Sequence, residues 1–152
     1  QPGFLIGVEA ERRKIVGKIM NWMNAMALAT VPKIAVQFRK NYGQAWLNMG
    51  GGKNADEFAA WWLSETGFMD PESAVGVVLG VDREAEPEKY EELLDEMVQD
   101  TSAYESASVY GVKSVIDPRE TRDYLKNMLD IHDLRMTGGV GEHLMQAWPT
   151  TF

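Results

Sequence analysis

Cysteine is absent from the 152 residues, which excludes disulfide frameworks, thiol catalysis and zinc–thiolate sites. Histidine is scarce. His132 and His143 stand alone, without the His or Cys neighbours that would complete the three or four convergent ligands of a metal site, so no metal is expected. His132, set among charges on a helix, reads as a surface residue. No Gly-x-Ser-x-Gly elbow is present to supply a hydrolase nucleophile. No apolar run approaches the ~20 residues needed to cross a bilayer. The opening Gln1-Pro2-Gly3-Phe4 lacks the basic and apolar regions of a signal peptide, so a soluble chain is expected. It does not begin with Met, which points to processing, trimming or upstream sequence. Excess positive charge is also missing. The net charge is −8, which argues against nonspecific nucleic-acid binding.

That charge is unevenly spread. Residues 1–53 carry eight Lys or Arg against Glu9 and Glu11, a net +6, while the remainder has 7 basic and 21 acidic residues, a net −14. The basic third is either a solvated surface or a face for a phosphorylated ligand. A 45% hydrophobic, 25% charged chain of this length suits one globular domain, and no internal repeat divides it.

Apolar spacing at Ile15, Ile19, Trp22, Met23 and Met26 predicts one long helix from Glu9 to Ala29, ended by Pro32. Ile34 to Phe38 reads as a strand, and Asn41 to Met49 as a turn and short helix closed by Gly50-Gly51-Gly52. Strands are expected at Phe58–Leu63 and Gly67–Met69. Asp70-Pro71 should then cap a helix reaching about Leu79. Helices follow at Pro87–Val98 and Ser102–Tyr110, then an extended Val112–Ile116. Asp117-Pro118 opens a helix to about Leu134, before Gly138-Gly139-Val140-Gly141 and a tail with Trp148-Pro149. Short strands alternating with helices indicate an α/β layered domain, with few strands for a complete sheet.

The Gly50-Gly51-Gly52-Lys53-Asn54 run fails as a phosphate loop. Leu47 stands where the first Walker glycine belongs and Asn54 where the hydroxyl belongs, so a helix stop accounts for it better. The acidic stretch Glu84–Glu96 reads as a solvated helix face, with Tyr90, Leu93, Leu94 and Met97 as its buried stripe. The nine Met and five Trp read as core, or in part as a subunit interface. The segment Arg39 to Met49 carries the chemistry. An aliphatic strand enters a tight glycine turn that opens a helix, leaving first-turn N–H groups at the positive end of the dipole. Such donors can hold a developing oxyanion, a property many strand-to-helix junctions share.

Here the sequence resembles the C-terminal domain of the carboxyltransferase (beta) subunits of biotin-dependent acyl-CoA carboxylases, of the propionyl-CoA and methylcrotonyl-CoA type. Gln1-Pro2-Gly3-Phe4 with Gly7 and Glu9, and Ala29-Thr30-Val31-Pro32-Lys33 with Arg39-Lys40, are similar to the family's Pro-Gly-Phe opening and Thr-Val-Pro-Lys strand. Tyr42-Gly43-Gln44-Ala45-Trp46 stands at its Tyr-Gly-Gly-Ala-Tyr. Phe68-Met69-Asp70-Pro71-Glu72 resembles its Met-x-Pro-Glu helix start. Ile116-Asp117-Pro118-Arg119-Glu120-Thr121-Arg122 resembles its Asp-Pro-Arg-Glu-Thr-Arg signature. The match covers about residues 1–134; the domain is drawn over 1–136, leaving 137–152 as a C-terminal tail.

The resemblance implies a crotonase-like fold of stacked β-β-α units, here lacking its first strands. It implies that the amides of Gln44 and Ala45 are catalytic oxyanion donors that hold the ureido oxygen of biotin borne on a carrier protein. Tyr42, Gly43, Trp46 and Leu47 would be substrate-binding, with Leu47 beside the acyl chain. The carboxyl group would pass from carboxybiotin to the α carbon of an acyl-CoA without a protein general base. The other half of the site would come from the N-terminal carboxyltransferase domain. The implied partners are a biotin carrier and biotin carboxylase subunit, in a homo-oligomer that is a hexamer in the full enzyme, in the cytoplasm or mitochondrial matrix. A biotin-dependent decarboxylase or a non-catalytic assembly module are the alternatives. Departures are Gln44 for Gly, Trp46 for Tyr, Trp62-Leu63-Ser64 for Trp-Pro-Thr, and Glu11-Arg12-Arg13 for a glycine-richer stretch.

Overall fold

The computed structural model describes residues 3–29, 31–51 and 54–133. The helix end expected at Leu134, the Gly138–Gly141 segment, His143, Trp148-Pro149 and the tail 137–152 lie outside the described residues. So do Gln1, Pro2, Thr30, Gly52 and Lys53.

The long first helix is in fact two, α1 (Val8–Arg12) and α2 (Ile15–Leu28). Between them Lys14 is left-handed, at φ 58° and ψ 47°. The amides of Arg13 and Lys14 bond back to the carbonyls of Glu9 and Glu11 at 3.1 and 2.9 Å, closing the first helix. The apolar spacing begins only at Ile15, after the break, so it defines α2 alone and says nothing of the polar residues before it.

Two β-β-α units follow. In the first, β1 (Ile34–Gln37) bends at Phe38-Arg39 into β2 (Lys40–Tyr42) and then α3 (Gly43–Asn48). In the second, β3 (Glu57–Trp61) bends into β4 (Glu65–Gly67) and then α4 (Pro71–Val77). The units lie side by side in parallel. Ile34 pairs with Glu57 in the larger sheet and Lys40 with Glu65 in the smaller one. β5 (Ser114–Ile116) completes the larger sheet in the order β1-β3-β5. At the bends the Phe38 and Trp61 rings stack, 4.4 Å between centroids. This pairing brings the two strand-to-helix turns together.

β3 is shorter than the expected Phe58–Leu63, because the Ser64 amide turns back to the Trp61 carbonyl at 2.9 Å. Its centre is Ala59 and Ala60, both fully buried; such small side chains let layers close on either face. Phe58 and Ala60 pack with Ala103 of α6 (Ala103–Ser108) and with Val112. A second cluster joins Val75 and Val81 to the Tyr90, Leu93, Leu94 and Met97 stripe of α5 (Pro87–Asp100), as the helical spacing predicts. α4 ends at Val77 rather than Leu79. Asp117 and Glu120 form a capping box ahead of α7 (Thr121–Asp133), where the Trp61 indole donates to Thr121 Oγ1 at 2.8 Å.

Two expectations are corrected. His132 is not a surface residue: it is 1% exposed, with Nε2 3.5 Å from Glu57 Oε1, so α7 turns its last imidazole onto β3. Nor are the Met and Trp residues uniformly core. Met20, Trp22, Met49 and Trp62 are exposed, whereas Met23 is buried.

Candidate active site

Asn41 and Tyr42, expected in a turn, belong to β2, and strand alternation explains what they do. Lys40 and Tyr42 point to one face and Asn41 to the other. Tyr42 is buried, and its phenol donates to Glu65 Oε2 at 2.8 Å. Burial, reinforced by that carboxylate, holds the Tyr42 pKa well above its ordinary value. Lys40 Nζ donates to Asp70 Oδ1 at 3.0 Å and lies 3.8 Å from Glu65 Oε2. The bond to Asp70 leads in raising the Lys40 pKa. Asp70 does stand at the N-cap of α4, but its side chain serves Lys40 and caps nothing.

Directly after Tyr42 the chain turns at Gly43, which is left-handed at φ 58°. A Cβ there would lie 2.9 Å from the Phe68 carbonyl oxygen, so conformation and contact both require glycine. A left-handed residue entering a helix makes successive N–H groups converge into a concave donor set, or nest. Gln44 accepts its departure from glycine because among the described non-glycine residues only Lys14 and Tyr110 have positive φ. Among the described residues, no side chain caps α3. Among the described residues, no loop or strand carbonyl takes the Gln44 or Ala45 N–H. Gln44 is half-buried, while Ala45, 1% exposed, is enclosed together with its N–H. Burying an N–H without an acceptor is costly, about 1–3 kcal/mol, and a ligand oxygen would remove that cost.

The Gln44 side chain faces away from this task. Its Nε2 donates to Asn48 Oδ1 and to Met23 Sδ, both at 2.9 Å, while Trp22 Nε1 donates to the Asn48 carbonyl at 2.7 Å. α2 therefore braces α3. Trp46 lies against Gly51, where a Cβ would come within 2.4 Å of its Nε1, and packs onto the Phe58 cluster. Leu47 is half-buried, and its carbonyl accepts from Asn54 Nδ2 at 2.7 Å. A cleft of about 450 Å³ runs beside β1 and the bend, lined in part by Arg39, Lys40, Asn41 and Met49. Asn41 Oδ1 is buried there with no donor among the described residues.

Of the residues singled out in the sequence, Tyr42, Gly43, Gln44 and Ala45 meet in one turn. Trp46 and Leu47 sit farther along α3, Trp46 directed to the core. Sequence reasoning missed Lys40, Glu65 and Asp70; the same-face spacing of Lys40 and Tyr42 was the available signal. Preorganised donors of this kind suit charge that develops on an oxygen during reaction, and one of them is typically worth about 3 kcal/mol.

Comparison with known proteins identifies the family. A family model, the carboxyl transferase domain, matches residues 1–136. The methylmalonyl-CoA decarboxylase alpha subunit of Veillonella parvula is 34% identical over 131 residues, 84% of this chain and 25% of that protein. The methylmalonyl-CoA carboxyltransferase 12S subunit of Propionibacterium freudenreichii subsp. shermanii is 33% identical over 139 residues, 86% of this chain and 26% of its own length. The chain thus spans about a quarter of the curated relatives it matches. A crystal structure of transcarboxylase 12S, a hexamer with methylmalonyl-CoA and methylmalonic acid bound, superposes with a TM-score of 0.81 at 32% identity, over 93% of this chain and 28% of that one. The geranyl-CoA carboxylase beta subunit of P. aeruginosa gives 0.74 at 26%, over 97% and 29%. The paired β-β-α units are accordingly the crotonase-like architecture of these enzymes, and the chain belongs to the carboxyl transferase domain family.

Proposed function

We propose that this chain supplies the biotin-side half of a carboxyltransferase site, in which a carboxyl group moves from carboxybiotin to the α carbon of an acyl-CoA. The observation that carries the reading is the Gly43 turn, with its two first-turn donors and no acceptor for them among the described residues. Biotin on a carrier protein, when bound, brings the carboxyl group. The Gln44 and Ala45 N–H groups suit its ureido oxygen, since both are donors and the turn presents them together. The enclosed position of Ala45 keeps bulk water from competing for that oxygen. Two of the neighbouring titratable groups are poor general bases. The Tyr42 phenol is held neutral by burial, and Lys40 is held protonated chiefly by Asp70. A reaction needing no protein base is consistent with both.

The acyl-CoA would be held by an N-terminal carboxyltransferase domain, with half-buried Leu47 nearest the acyl chain. The working enzyme would be a homo-oligomer of the hexameric kind, served by a biotin carrier and biotin carboxylase subunit in the cytoplasm or mitochondrial matrix. Among the described residues, no helix is long and apolar enough to cross a membrane. A second reading is favoured by the 34% identity to a decarboxylase subunit: the same site run from acyl-CoA toward biotin. Assays in both directions with a biotinylated carrier separate the two.

The test is Ala45→Pro, which removes one amide donor, alongside Gly43→Ala, which forces a Cβ toward the Phe68 carbonyl. In the assembled enzyme each should lower kcat by about 10²–10³, with oligomeric state and circular dichroism unchanged. Full activity in a correctly assembled Ala45→Pro enzyme would refute the oxyanion role.

A further inference from the structure

The oxyanion turn is held from below by a polar assembly on the neighbouring β-β-α unit, and its centre is Glu65. This carboxylate accepts the Tyr42 phenol at 2.8 Å and lies 3.8 Å from Lys40 Nζ. Its main chain is tied as well. The Glu65 amide donates to the Arg39 carbonyl at 3.2 Å, and the Glu65 carbonyl accepts from Gln37 Nε2 at 3.2 Å. Gln37 Oε1 in turn accepts from Thr66 Oγ1 at 2.7 Å. Glu65 is therefore fixed against the bend before β2, and its side chain grips both residues that β2 sends to that face. Three residues on, the Phe68 carbonyl abuts Gly43. Strand β2 is only three residues long and leads straight into the turn, so any tilt of Tyr42 re-aims the Gln44 and Ala45 N–H groups.

We infer that Glu65 is a positioning residue for carboxyl transfer, acting through Tyr42 and Lys40 to aim the donor pair. This rests on the oxyanion reading given above. Glu65 touches no reacting atom in it. Its carboxylate oxygen supplies an acceptor that Tyr42, buried as it is, requires; without it the phenol loses its partner and the strand its lateral anchor. Misplacement of a catalytic group by a fraction of an ångström to 1 Å can cost up to about 10²-fold in rate.

The experiment uses the assembled carboxyltransferase with the variants Tyr42→Phe, Glu65→Ala, Glu65→Gln and their combination Tyr42→Phe/Glu65→Ala. Tyr42→Phe and Glu65→Ala should each reduce kcat about tenfold or more, with KM for the acyl-CoA within about twofold. Glu65→Gln, which retains an acceptor oxygen at the same reach, should recover most of the loss. The combined variant should be no slower than the worse single one, because both break the same bond. The inference is overturned by unchanged kcat in Glu65→Ala, by losses that multiply in the combined variant, or by a KM rise that accounts for the whole effect. Loss of rate only in step with lost assembly or a lowered melting temperature also overturns it, since that marks a merely structural role. Ala45→Pro separates the layers. If Ala45→Pro stops turnover while Glu65→Ala does not, the positioning role alone is wrong. If Ala45→Pro leaves turnover intact, the reading beneath it is wrong.

Discussion

At the scale of single residues, two groups have behaviour that can be measured directly. Asp117 accepts from the Arg119 guanidinium and from its amide, and these bonds hold its carboxyl down at about 2. The folded pKa lies below the unfolded one, so the stabilisation is present above the ordinary carboxylate range and is lost as pH falls from 3.8 toward 2. Arg119→Gln removes the leading cause, and an NMR titration should find the Asp117 midpoint moved up toward its ordinary value. Tyr42 is the second. Because burial and Glu65 keep its phenol neutral, its ultraviolet titration should show no Tyr42 phenolate at pH 10, and Tyr42→Phe should leave the absorbance change at that pH unaltered. The turn itself could be read from Tyr42-Gly43-Gln44-Ala45-Trp46, but many strand-to-helix junctions share that pattern, and the donor roles of Gln44 and Ala45 came from the family resemblance. Glu65 could not be read there. It lies 23 residues beyond Tyr42, and only the pairing of β2 with β4 makes them neighbours.

At the scale of elements, the left-handed Lys14 is the clearest departure from the single helix expected over Glu9 to Ala29. A Cβ in that conformation costs about 1–2 kcal/mol. Lys14→Gly should therefore stabilise the chain by about 1 kcal/mol in denaturant unfolding, while Lys18→Gly, one turn later on the exposed face of α2, should destabilise it by a similar amount. Equal destabilisation by both would mean that the break is not held at Lys14. The helices α4 to α7 were legible, because each begins with a Pro or Ser cap signal and α5 carries a full apolar stripe. The short strand β2 was not, and β4 was expected two residues too late, at Gly67–Met69. Three residues give no period-2 pattern to detect, and their pairing depends on bends fixed by tertiary contacts such as the Phe38–Trp61 stack.

At the scale of the whole molecule, two parallel β-β-α units set one strand-to-helix turn against the other. In the proposed site the second unit would be the platform that aims the first unit's donors. The fold class followed from the alternation of short strands and helices, and the family from motifs spread along the chain. The arrangement of two sheets did not, because it arises from long-range pairing. The chain corresponds to about a quarter of its carboxyltransferase relatives, and the reading assigns it one wall of a site whose acyl-CoA wall lies elsewhere. The most direct test is carboxyl transfer from carboxybiotin to an acyl-CoA, followed with this 152-residue chain alone and again with the acyl-CoA-binding domain added. No transfer alone and turnover on addition is the predicted result; turnover by the chain alone, at the rate of the pair, would contradict the account.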